Sequence, residues 1–328
     1  METKRFLMKS AVAAAFFAFV ITGCKKEDKI TPDTTEETTA SSARTNANDQ
    51  NNVDQQTNET MDDVNKVLKD NPNTRGELPC NVTIDSSLLM TQGLIKLTYH
   101  GLSCDLQRKR EGVISLQLPY DKSINKPIRW STKGAYVQLT YENFKVTRVA
   151  DGKSLTFNGQ LTATNVTGGG ALNVILLKAT VTHTLKGGLT ITFDDGTTRQ
   201  WAVARTRSYI PTLTDIVVED SGDTLINNEH VAYWGKNRAN EEFSVSITES
   251  IATEIFTINP LNIDRLYKPY KGIVKLNTTA SAATVKTLTI TYGVDKNGNQ
   301  VNGSGDLYGY KINWTDANGG AQQLIISY

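Results

Sequence analysis

The sequence predicts an all-β body, and three observations carry that expectation. From Cys80 onward apolar and polar residues alternate with a period of two, Asp-Gly dipeptides fall between the alternating runs, and no long stretch of helical spacing interrupts them. A period of two puts successive side chains on opposite faces, so each run reads as a half-buried strand. Ile95, Leu97 and Tyr99 alternate with Lys96, Thr98 and His100, and Val137, Leu139 and Tyr141 with Tyr136, Gln138 and Thr140. Leu177, Ala179, Val181 and Leu185 share one face, Leu189, Ile191 and Phe193 another, and Tyr308, Tyr310, Ile312 and Trp314 a third. Asp151-Gly152 and Asp195-Gly196 sit where hairpins turn, because glycine accepts positive φ. Closely spaced short strands suggest an antiparallel sandwich-like body or an elongated meander. The stretch 211–229 breaks the alternation, which predicts a first β subdomain over 79–215 and a second over 216–328.

Upstream of this body the composition changes. No Phe, Tyr or Trp occurs between Phe19 and Tyr99, so that stretch has little to build a core with. Lys4, Arg5 and Lys9 form a basic start, followed by an unbroken apolar run from Ala11 to Ile21. A membrane-spanning helix needs about 20 such residues, so this shorter run fits the apolar region of a signal peptide. It ends in Ile21-Thr22-Gly23-Cys24, which resembles the lipobox of bacterial lipoproteins. Small residues fit the peptidase cleft, and the cysteine thiol is alkylated before cleavage. A signal peptide over 1–23 is therefore expected, with Cys24 as the lipidated, palmitate-bearing N-terminus that anchors the mature chain. An ordinary secretory signal with a chance cysteine would lack this register between basic start, apolar run and lipobox. The following Lys25-Lys26-Glu27-Asp28 resembles the tag that exports lipoproteins of Bacteroidota to the outer face of the outer membrane; the start of a soluble tether has the same composition.

Residues 24–58 are almost entirely polar and read as a disordered tether, because burying them would not repay the backbone entropy. Met61, Val64, Val67 and Leu68 recur at helical spacing and Pro72 stops propagation, predicting a short helix over 59–70. The formal net charge of +1 divides into 7 basic and 12 acidic residues over 25–78 and 25 basic and 21 acidic over 79–328. Neither half is basic enough for a dedicated nucleic-acid surface. Leu97-Thr98-Tyr99 before Gly112 is echoed by Ile290-Thr291-Tyr292 before Gly305 at the same spacing, an internal similarity consistent with two units.

The runs LTYHGLSCDLQRKREGVI, YVQLTYENFKV, LTITFDDGTTRQWAVARTRSY and LTITYGVDKNGNQVNGSG resemble a family of envelope lipoproteins of Bacteroidota. The resemblance touches most of 59–328. It implies a cell-envelope location and a β fold, and brings no known activity. Relatives often carry a cysteine also in the polar loop of the second copy, between Tyr292 and Gly305, where this chain has none.

With Cys24 lipidated, Cys80 and Cys104 remain. In an oxidising envelope two cysteines flanking a hairpin that turns near Met90–Gly93 are expected to pair. A thiol nucleophile would need a supporting motif, and none is present. His100 lies on a polar strand face, His183 is in phase with core residues, as expected of a satisfied core or interface histidine, and His230 follows Glu229; no two have metal-ligand spacing. Asp295, Asn297, Asn299 and Asp306 mimic a calcium loop, but Gln300 replaces its glycine and strands flank it, so a polar hairpin loop is expected and no metal is assigned. Tyr136, Trp130, Tyr233 and Trp234 are aromatic residues on polar faces or near loops, where exposed rings stack on sugars. Asp33-Thr34-Thr35 and Asp223-Thr224-Leu225 resemble the short O-glycosylation signal of Bacteroidota. No catalytic residue and no cofactor is assigned. The expectation is an outer-membrane lipoprotein, cell-surface exposed if the tag is read, that acts as a non-enzymatic binding or structural module. Its partners would be the membrane, through the lipid, and an envelope protein or glycan. The alternative is a surface hydrolase using paired carboxylates, which a fold can assemble without a sequence motif.

Overall fold

A computed structural model describes residues 34–68, 78–213, 215–226, 228–255, 268–279, 286–301, 306–316 and 318–328, and residues 34–328 form one compact unit. The chain begins with helix α1 (Thr34–Val67), followed by β1 (Val82–Asp85), the one-turn α2 (Leu89–Gln92), β2 (Leu94–Leu102) and β3 (Arg108–Gln117). A small ribbon of β4 (Tyr120–Asp121) and β5 (Lys126–Pro127) precedes β6 (Tyr136–Arg148) and β7 (Ser154–Asn165). Then come α3 (Ala171–Leu177), β8 (Val181–Phe193), β9 (Thr198–Pro211), β10 (Ile216–Gly222), β11 (Thr224–Ile226), β12 (Glu229–Lys236) and β13 (Glu242–Ile255). The chain ends with β14 (Lys271–Thr278), β15 (Thr287–Val294), β16 (Gly309–Thr315) and β17 (Ala321–Ser327).

All but β4 and β5 belong to one antiparallel sheet in chain order, so the meander is the form the all-β expectation takes. One place in it is shared. β10 pairs with β9 over Arg205–Pro211 and β12 with β9 over Gln200–Val203, both running in the same direction. On the far side they meet β13 over Ile251–Ile255 and Glu242–Ser246. The two are one interrupted strand with the β11 excursion between them. The predicted division at 215/216 thus falls inside a continuous sheet, and the broken alternation over 211–229 marks this interruption and not a domain boundary.

Hairpins form where expected. Asp151 and Asp195 accept backbone N–H groups two residues on, from Lys153 and Thr197, closing the turns that join β6 to β7 and β8 to β9. Leu97, Ile114, Leu139, Ile191, Leu276 and Ile290 lie on the inner face and are buried. Tyr310, Ile312 and Trp314 join them, but Tyr308 precedes β16 and is 45% exposed. Leu177 ends α3 and Ala179 follows it, both exposed, so the face they were expected to share with Val181 and Leu185 begins only at β8.

The largest departure is α1. It is a single helix of 34 residues, covering most of the expected tether and all but the end of the short helix predicted over 59–70. Residues 24–33, the rest of that tether, lie outside the described residues, as do the signal peptide, Cys24 and Asp33. From Asn46 to Val64 no residue of α1 is exposed on any side. Its partners come from β2, β3, β9, β12 and β16, so the sheet curls around the helix. Thr, Asn and Asp are weak helix formers in isolation, and α1 owes its form to these tertiary contacts. Thr57 and Thr60 donate their hydroxyls to the carbonyls of Asp54 and Gln56, which satisfies them inside the core.

Candidate functional site

Two polar regions stand out. The first is the closed seam between α1 and the inner face of the sheet. Period two puts Arg199, Arg205 and Arg207 of β9 on the same face as Trp201, Val203 and Tyr209, and Arg108 and Arg110 of β3 in phase with Ile114. Arg205 meets Asp54 at 2.6 Å, and the Tyr233 hydroxyl donates to the same carboxylate at 2.8 Å. Arg207 holds Asp220 through two bonds of 2.8 and 2.7 Å, and both arginines donate to Asn58. Arg108 reaches Glu59 at 2.8 Å, and Arg110 reaches Asp63 at 2.7 Å beside the donating hydroxyl of Tyr99. Arg199 bonds Gln50 and lies 4.1 Å from the centre of the Phe243 ring, which stabilises a buried cation.

Burial dominates the titration of this seam. It pushes the Asp49 carboxyl up to about 6 against the pull of Arg238, and Glu59 up to about 7 against Arg108. Asp54 is raised for the same reason, whereas Arg207 and Arg205 outweigh burial at Asp220 and hold it below its ordinary value. Each acid is packed against an arginine, with no space for a substrate between the partners. The seam is the fastening of α1.

The other singled-out residues are placed as follows. Cys80 and Cys104 are bonded, with their Cα atoms 5.2 Å apart. Trp130 and Tyr233 are buried, and the indole of Trp130 donates to Asn65. His183 lies between Trp130 and Tyr209, with ring centroids 4.8 and 5.2 Å away. It is a core histidine but not a satisfied one: neither ring nitrogen has a hydrogen-bonding partner among the described residues, and burial lowers its pKa to about 4. His100 and His230 are exposed and on different strands. The Asp295 carboxylate accepts the N–H groups of Asn297 and Asn299, so it closes a hairpin turn. Tyr136 is exposed on the outer face, and Asp223 forms an exposed ion pair with Lys186.

The second polar region is open. On the outer face a groove of about 970 Å³ runs across β7, β8, β9, β12, β13 and β14. Ile226 and Glu229 line one side, and Asn277, Thr278 and Thr279 another. The pairing registers place one row of outward residues across it, namely Gln160, Gly188, Ala202, Trp234, Ser244 and Asn277. Trp234 therefore stands between Ala202 and Ser244, neighbours too small to cover its ring. A parallel row carries Asn158, Thr190, Gln200, Lys236 and Glu242. Several amides are already oriented: Gln160 donates to Thr140, Asn158 accepts the N–H of Asn143, and Asn277 accepts the hydroxyl of Thr287. Glu229 is held by Lys275 at 2.7 Å and Ser246 at 2.8 Å, and these bonds lower its pKa. Glycine is required where β7 passes β8. Gly159 has φ +129, and a Cβ there would come within 2.6 Å of the Gly188 carbonyl oxygen.

Sequence reasoning marked Trp234 but not the groove, because register, which brings six strands into one row, is not visible in a single strand. The arginine seam had a visible signal: arginines in the apolar phase of a strand need acidic partners, and an acidic, amide-rich segment was present upstream. Among the described residues no cluster of His, Cys, Asp and Glu has a metal-holding arrangement, and no helix is long and apolar enough to cross a membrane. Comparison with known proteins finds no matching family model, no matching curated protein and no matching solved structure.

Proposed function

We propose that this chain is an extracytoplasmic lipoprotein, anchored through Cys24 and related to the envelope lipoproteins of Bacteroidota, whose β body is a non-enzymatic binding module. One observation carries the reading: the wide, accessible groove around Trp234, lined by apolar surface and by amides and hydroxyls, is separate from the strongly shifted carboxylates, which are all locked into the α1 seam. A glycan-acting hydrolase would need two carboxyl groups about 5–9.5 Å apart at the ligand. In the groove Glu229 is tied to Ser246, and Glu242 lies four positions back along β13, roughly 13 Å of extended strand. That spacing favours binding over hydrolysis.

The anchoring part has a direct test. Cys24→Ala should abolish incorporation of labelled fatty acid, and continued labelling would remove the anchor. For the module, full-length protein in detergent should be retained by the delipidated envelope fraction of its own cells, where the anchor finds no bilayer, and Trp234→Ala should lose that retention while melting at nearly the same temperature. Equal retention of the two proteins, or turnover of the retained material, would overturn the reading.

A further inference from the structure

We propose that the groove around Trp234 takes an uncharged oligosaccharide, with one pyranose ring stacked on the indole. The inference rests on the binding-module reading and names its ligand class. Three features select a sugar. The first is the shelf: Gly188, Ala202 and Ser244 beside a half-buried Trp234 leave an aromatic face that no ring among the described residues covers. The C–H face of a pyranose matches such a surface.

The second is the set of polar groups. Amides and hydroxyls flank the indole on both sides, with half-buried Asn158 and exposed Thr190 and Gln200 toward β7–β9 and half-buried Asn277 toward β14. Amides both donate and accept, which is what sugar hydroxyls require. The Asn158 and Asn277 side chains are fixed by hydrogen bonds from Asn143 and Thr287, so they lose little freedom when a ligand binds. The third is charge. Glu229 is neutralised by Lys275, and Lys236 sits directly across the ladder from Glu242, so the groove offers no net charge to a polyanion or polycation. From Gln160 to Asn277 the row crosses five strand spacings, about 24 Å, which accommodates several linked rings.

The test is calorimetric titration of the full-length protein in detergent with cellohexaose, xylohexaose, mannohexaose, maltohexaose and chitohexaose, with heparin as the charged control. At least one neutral hexasaccharide should bind and perturb tryptophan fluorescence, and heparin should not compete. Trp234→Ala should weaken that binding about tenfold or more. Ala202→Gln, which fills the shelf and leaves the tryptophan in place, should do the same, so a fold defect in one variant does not decide the matter. Gln200→Ala should weaken it less. If no neutral hexasaccharide binds, or if binding survives both Trp234→Ala and Ala202→Gln, the sugar assignment is wrong. If envelope retention nevertheless still depends on Trp234, the binding-module reading stands with a ligand of another class; if that dependence is also absent, both fall.

Discussion

On β12, Tyr233 points at α1 and Trp234 points at the groove, one residue apart and on opposite faces of the same strand. The inner surface is crowded with charge, yet nearly every charge has a partner: Asp54 has Arg205 and Tyr233, Glu59 has Arg108, and Asp63 has Arg110 and Tyr99. The groove on the outer surface is lined by few charges, Glu229, Lys236 and Glu242, and its amides and half-buried aromatic ring border open space. The difference teaches that polarity and shifted pKa values do not by themselves mark a functional site. Burial produced the upward carboxylate shifts here, and it also closed the space that chemistry would need.

The sharpest way to break the comparison is to unpair the seam. Arg205→Ala would leave the Asp54 carboxylate and Tyr233 buried without their cation, and should cost about 3–5 kcal/mol in denaturant melts. A loss below about 1 kcal/mol would mean that the seam is solvated like the groove. Reduction of the Cys80–Cys104 bond, which closes a loop of separation 24 at the β1–β2 edge, should cost about 3 kcal/mol by freeing the unfolded chain. Unchanged melting in reductant would show that the bond does not constrain the unfolded chain.

The seam should also impose a pH dependence that the groove does not. Glu59 and Asp49 have folded-state values of about 7 and 6, above their ordinary 4.5 and 3.8. The folded protein therefore keeps protons there that the unfolded chain has released. The resulting stability is fully present below the ordinary carboxylate range and is lost as pH rises through 6 and 7. His183, with a folded value near 4 against 6.5, acts in the opposite sense: its contribution is present above pH 6.5 and is lost as pH falls toward 4. Subtracting the melting profile of Glu59→Gln from that of the wild type isolates the first effect. The difference should show wild-type stability declining between pH 5 and 8, and a flat difference would place Glu59 in water. The smallest effect belongs to the groove. Trp234→Ala should change stability by less than about 1 kcal/mol, because the ring is only partly packed. A core-sized loss would make Trp234 a packing residue.

The strands were legible because period two survives in any half-buried sheet, as at Ile95–Tyr99 and Val137–Tyr141. Cys80 and Cys104 were legible because hairpin geometry limits which ends meet. The segment over 34–58 was misread for a physical reason. Its lack of aromatic and aliphatic residues signals disorder when the alternative is an apolar core, but here Arg199, Arg205 and Arg207 lie about 140 to 170 residues away in sequence and supply a polar one. Asn46, Asp49, Gln50, Asp54, Asn58, Glu59 and Asp63 form a helix only because the sheet presents their partners. A single segment cannot show that. The row centred on Trp234 was hidden for a similar reason, since it depends on the registers of six strands.

The central claim is that α1 is the enclosed core of the sheet and not a leash in front of it. Amide hydrogen exchange on the full-length protein tests this most directly. Backbone amides from Asn46 to Val64 should exchange as slowly as those of the inner strands β8 and β9, and should be released together with them as denaturant is added. Exchange of 46–64 at the rate of an unstructured peptide, while β8 and β9 stay protected, would contradict it.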